Sequence, residues 1–156
     1  MNIDFINPFL QSMSNVIATM ASIESVQGEV SLKLDDVAHG DVTGLIGMVG
    51  EKTKGSLAIS FKKEVILDIT SRMLGETITE INDDVLDCVG EITNMVTGGA
   101  KNLLAEKGFD FDLATPVVIN GESHDVVHKF KGNKITIPFS TEYGDFFVEI
   151  CFEDIK

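Results

Sequence analysis

Basic residues are scarce in this chain. Its 156 residues hold 12 Lys plus Arg against 25 Asp plus Glu, a formal charge of -13. Such a surface repels nucleic-acid backbones and anionic lipid headgroups, which excludes nucleic acid and membrane as main partners. It also constrains any phosphate chemistry. An acidic protein that approaches a phosphoryl group needs a metal ion or basic groups close by, and a partner can supply them. Cysteine is almost absent: Cys88 and Cys151 are the only two. With no secretory signal they read as reduced thiols of a cytoplasmic protein rather than as a disulfide framework, and Cys88 as a small packing residue. The opening MNIDFINPFL lacks the basic start and unbroken apolar run of a signal peptide. No apolar run reaches membrane-spanning length. Three scattered histidines, His39, His124 and His128, make no metal set with the cysteines.

Apolar residues make up 44% of the chain and charged residues 24%, an ordinary balance for a globular protein. No linker composition divides it, so residues 1–156 read as one domain. The stretch from Asn82 to Gly108 organises the rest. Val85, Leu86, Val89, Ile92, Val96, Ala100, Leu103 and Leu104 recur at spacings of three and four, the apolar stripe of a helix lying on a core. Asn82 suits the N-cap, where its side chain accepts a free backbone N–H. Asp83, Asp84 and Asp87 lie near the positive end of the helix dipole. Gly108 suits the left-handed closing position. The opposite face carries Asp87, Glu91, Asn94, Gly98 and Lys101. Glu91 and Asn94 are three apart and point the same way, with Gly98 leaving a bare patch one turn on. A carboxylate and an amide beside open backbone can receive another molecule, although such pairs are also common on wet helix faces.

The remaining pattern alternates helix and strand. An amphipathic helix covers Phe5 to Ala21, with Pro8 tolerable in its first turn. Strand signals follow at Val30–Leu34, Val42–Val49 and Ser56–Phe61, the last two a hairpin around GEKTKG. A short helix spans Lys63 to Leu74 and stops at Gly75. Beyond Gly108, strand patterns cover Phe109–Ile119, Asp125–Phe130, Lys134–Ser140 and Phe146–Phe152. Pro116 and Pro138 demand positions where no ladder donor is needed. The class is therefore α/β in the α+β sense, a largely antiparallel sheet packed by long amphipathic helices. The order also reads as two degenerate copies of one α-β-β-β unit, with GSLAISFKKE and GDFFVEICFED in matching places. In that reading Ser12 and Asn15 of the first helix stand where the long helix has Glu91 and Asn94.

The set Asp87, Gly90-Glu91, Asn94-Met95 and the Gly98-Gly99 pair, with Pro116 a little over twenty residues later, resembles the signature of the CheC/CheX/FliY family. These are phosphatases of the chemotaxis response regulator CheY. The similarity runs from the first helix to Phe152. One motif copy is present, as in the CheX branch, where CheC usually carries two. The resemblance implies a CheC-like domain that hydrolyses the aspartyl phosphate of a CheY-type receiver, with Mg²⁺ held by the receiver and no cofactor in this chain. It implies Glu91 and Asn94 as the catalytic pair. Asn94 would position the attacking water, and Glu91 would meet the receiver's active-site lysine. Asp87, Met95 and Gly98 would shape the partner contact, and Pro116 would fix the strand backing the helix. A homodimer joined edge to edge through its sheets is also implied. The alternative is a non-catalytic module that docks a receiver or a flagellar component through the same face.

Overall fold

A computed structural model describes residues 3–51, 53–121, 124–128 and 132–154. In chain order the elements are α1 (Ile3–Ala21), β1 (Val26–Gln27), β2 (Ser31–Lys33), β3 (Val42–Gly50), β4 (Thr53–Phe61), α2 (Lys63–Leu74), α3 (Asp83–Ala105), β5 (Phe111–Leu113), β6 (Val117–Asn120), β7 (Lys134–Thr141) and β8 (Gly144–Asp154). All strand pairs are antiparallel. The sheet order is β1-β7-β8-β4-β3-β5, with β2 also on β7 and β6 also on β3.

Two strand expectations are corrected. Phe109–Ile119 is not one strand: Pro116 falls in the gap between β5 and β6, which pair with two stretches of β3. A residue without an N–H sits there at no cost to the ladder. Among the described residues of Asp125–Phe130 only Asp125 makes a bridge, to Val37, and 126–128 lie outside any strand. Residues 129 and 130 lie outside the described residues. Pro138 does lie inside β7, paired with Phe147. Its carbonyl accepts from the Gly28 N–H at 2.7 Å, so its missing N–H also faces outward, between the two short segments β1 and β2.

The helices cover one face of the sheet. Ile46, Met48, Leu57, Ile59, Phe61, Val148 and Ile150 are fully or almost fully buried beneath them. Every second strand residue points to this face, as the pleat requires. At one end of the core, Phe5 meets Phe152 edge-on at 4.4 Å and Phe109 at 5.3 Å. The second face holds a polar cluster. Glu149 ion-pairs with Lys33 at 3.5 Å and hydrogen-bonds the His128 ring at 2.9 Å, and all three side chains are at most 5% exposed. The other ring nitrogen of His128 bonds the Ser56 hydroxyl, and His124 bonds Thr43. His39 instead lies edge-on to Phe147. The three histidines thus sit in three separate polar or aromatic contacts.

Candidate functional site

Helix α3 starts as its sequence dictates. The Asn82 side chain accepts from the Val85 N–H at 3.1 Å, and Asp83 and Asp84 occupy the first turn. The helix closes through Gly108, whose φ of 88° lets the Phe109 N–H return to the Leu104 carbonyl at 3.0 Å. Val85, Val89, Ile92, Val96, Ala100 and Leu104 are completely buried. Leu103 lies half-buried on the flank.

Two polar residues also face the core. Thr93 donates to the Val89 carbonyl at 2.7 Å and Thr97 to that of Thr93, so each hydroxyl is satisfied within its own helix. Thr93 rests on the sheet at Gly44 of β3, where any Cβ would overlap its Oγ1. This glycine sets how deeply α3 sits. Sequence periodicity missed both threonines because they look polar. Their signal is a hydroxyl at i−4 spacing within an apolar stripe.

The second anchor is α1. The Ser12 hydroxyl donates to the Val96 carbonyl at 2.7 Å, and the chain around Gly99 admits it because a Cβ there would strike Ser12. With Phe5 near Phe109 and Ser12 near Val96, α1 and α3 run antiparallel. Ser12 is therefore an inter-helix tie, buried to 4% exposure. Asn15, one turn on, is exposed.

With its depth and neighbour fixed, α3 presents Asp87, Glu91 and Asn94 to solvent. Among the described residues neither Glu91 nor Asn94 has a hydrogen-bond or ion-pair partner. Their Cβ atoms are about 5–6 Å apart by helical geometry. Gly98 is half-buried, with nothing within 4 Å of an added Cβ, so no packing contact requires a glycine there. Gly90 faces β6, where an added Cβ would meet Val118 at an ordinary 3.6 Å. Met95 is half-buried and packs against the core edge on the α1 side. Pro116 is half-buried at the start of β6, which lies under α3. Cys88 sits behind Glu91, buried, with its sulfur 3.4 Å from that of Met73. Burial pushes its thiol pKa up, and the Glu91 carboxylate pushes in the same direction.

Among the described residues, the arrangement is an unpaired amide and an unpaired carboxylate on one helix face, with the nearby Cys88 thiol buried behind them. It can orient a water molecule and accept a cation. Among the described residues, no group of three or more His, Cys, Asp or Glu side chains is placed to hold a metal ion.

Residues 42–140 match the sequence profile of the family described as chemotaxis phosphatase CheX. The chain is 29% identical over 142 residues to the CheY-P phosphatase CheX of Thermotoga maritima, covering 90% of this chain and 89% of that one. It superposes on the crystal structure of chemotaxis protein CheX from Vibrio vulnificus with a TM-score of 0.90 at 55% identity, over 96% of this chain and 99% of the other. The CheX of the CheX-CheY-BeF3-Mg²⁺ complex from Borrelia burgdorferi is similar at a TM-score of 0.82 and 28% identity, over 97% and 99%.

Proposed function

The chain belongs to the chemotaxis phosphatase CheX family, and from that premise we propose that Asn94 and Glu91 are the groups through which it acts on its substrate. The protein dephosphorylates a CheY-type response regulator. In that reaction water attacks phosphorus in line, a new P–O bond forms, and the bond to the aspartyl oxygen breaks. The products are inorganic phosphate and the free carboxylate. Charge on the transferring group is met by Mg²⁺, an ion that accompanies the Borrelia CheX-CheY complex; we assign it to the receiver, together with the receiver's lysine. What remains for this chain is to place the water. A carboxamide offers both a donor and an acceptor, so Asn94 can hold a water at a fixed angle without taking its proton. Glu91 engages the receiver's lysine as a charge-assisted pair, shielded from bulk water once the complex forms. Asp87 and Gly98 flank the contact, the glycine by allowing close approach.

The single observation that carries this assignment is that, among the described residues, Glu91 and Asn94 are both exposed and unpartnered one turn apart on a helix whose buried hydroxyls, Thr93 and Thr97, are satisfied. No helix among the described residues is long and apolar enough to cross a membrane, and we place the protein in the cytoplasm with its receiver. The assembly is a homodimer formed through a sheet edge.

The test is the rate of phosphate loss from a labelled receiver, read beside receiver affinity. Asn94→Ala removes an interaction made mainly in the transition state, so the rate falls on the order of 100-fold while binding holds. Glu91→Ala weakens the complex instead, most clearly at low salt, and Glu91→Lys weakens it further by facing a lysine. Both sites are exposed, so stability shifts stay within about half a kcal/mol. Full rate in Asn94→Ala would leave the amide without a catalytic role and make this face a docking surface only.

A further inference from the structure

Beside the Glu91–Asn94 face, α1 and α3 enclose an open groove of about 370 Å³. Its floor is apolar, made by Val16, Met95 and Leu103, and its rims are Asn15 and Thr19 on one side and Asn102 on the other. No lining residue carries a charge, on a protein whose net charge is -13. Met95 stands one turn from Glu91 on the same row of the helix, so the groove wall continues the proposed receiver face. Along each helix the lining spans eight positions or so, about 12 Å at 1.5 Å per residue. A straight trough of that length between two antiparallel ridges has the form that a third helix fills.

We propose that this groove is the specificity subsite for the receiver, and that its occupant is an amphipathic helix of the receiver domain. An apolar residue of that helix seats on Met95, Val16 and Leu103, and uncharged hydrogen-bonding groups meet the carboxamides of Asn15 and Asn102. The inference rests on the receiver docking over Glu91 and Asn94. It divides the labour between the two helices: α3 carries the reacting groups, while α1 selects the partner. The neutrality of the groove contributes to that selection. A receiver helix with an acidic contact face meets no cation here, and one with a basic face meets no anion.

The test uses the full-length protein and a CheY-type receiver activated with beryllium fluoride and Mg²⁺. Asn15→Arg and Asn102→Arg each place a long cation over one rim, with Glu142→Arg as a control in a distant turn. Both rim residues are exposed, so folding is retained. The expected result is a Kd raised about tenfold in either rim variant and unchanged in the control. The single-turnover rate at saturating receiver stays at the wild-type value. A photo-cross-linker attached at Asn15→Cys then maps to a receiver helix. Both affinities within twofold of wild type, or a cross-link to a receiver strand or to no receiver residue, overturns the proposal. Asn94→Ala, measured alongside, separates the two readings, because its rate reports on the amide whatever the groove variants do to affinity.

Discussion

Asn94 lies between two buried neighbours on its helix. Thr93 rests against Gly44 of the sheet, and Val96 accepts the hydrogen bond from Ser12 of α1. The exposed amide is thus mounted on a backbone whose depth and rotation are fixed within one turn on either side. That is what positioning chemistry requires, since a displacement of about 1 Å costs on the order of 100-fold in rate. Close behind, Cys88 marks where the wet face ends. Burial leads the upward shift at both thiols, and a carboxylate adds to it: Glu91 at Cys88, Glu149 and Glu153 at Cys151. Both thiols are held neutral in the folded state. A folded pKa above the unfolded value contributes stability that is fully present below the ordinary thiol value of 9.0 and is lost as pH rises through the folded value. Native protein at pH 8 should therefore resist alkylation at both positions. Unfolded chain should react at both, and thermal stability should decline above about pH 9. Mass-counted alkylation with and without urea checks this. Stoichiometric labelling of native Cys88 would show the α3 flank to be open.

At the scale of elements, the glycine pair of α3 divides its work. Gly99 sits against Ser12, and any side chain there strikes the hydroxyl that ties the helices together. Gly98 meets open space. Gly99→Ala should destabilise the fold by about 1–3 kcal/mol through overpacking. Gly98→Ala should stabilise it by up to about 1 kcal/mol through helix propensity and still weaken receiver binding. Urea unfolding and receiver titration separate the two. A Gly98→Ala protein that binds normally would remove that residue from the interface. Sequence reading places Gly98 on the outer face by helical spacing and gives Gly99 no role of its own, because the Ser12 contact depends on the register of α1 against α3. Where the signal was local the elements were legible. The bounds Lys63–Leu74 of α2 follow from an apolar period and a stop glycine, and the start of α3 follows from Asn82. The strands of two to four residues were less so. A segment such as Val26–Gln27 shows no period, and its pairing with Ser140 and Phe139 is set by a contact more than a hundred residues away. The exposed pair Glu91 and Asn94 was visible from helical spacing. The groove beside it was not, since it needs the register of α1 against α3.

Across the whole molecule the sheet is symmetric about the β4–β8 pair. Outside that pair lie β3 and β7, and outside those the short segments: β5 and β6 on β3, β1 and β2 on β7. Each half of the chain lends its short strands to the other half's hairpin. Among the described residues each half then holds four strands, β1–β4 and β5–β8, once β1 is counted and Phe109–Ile119 is divided. The exchange leaves two free margins among the described residues, one along β1 and β2 and one along β5 and β6. Along β1, β2 and the residue that follows β2 the apolar side chains are strongly exposed: Val26 at 70%, Leu32 at 61% and Leu34 at 92%. An unpaired edge with that composition is one that proteins ordinarily blunt or cover. We assign it as the homodimer seam, where the β2 edges of two copies pair about a two-fold axis. Glu91 and Asn94 belong to the helical layer rather than to this edge, so both sites of a dimer stay open to receivers. Leu32→Lys places a cation at the seam without touching the core, and pairing about the axis brings two such cations together. Sedimentation of wild type should give a dimer, and the variant a monomer. Because each protomer holds its own pair of reacting groups, the dephosphorylation rate per chain should stay within about twofold of wild type. A wild-type monomer at micromolar concentration would overturn the homodimer, and a Leu32→Lys dimer would move the seam elsewhere. A monomeric variant with its rate lost would instead show that the second copy contributes to the site.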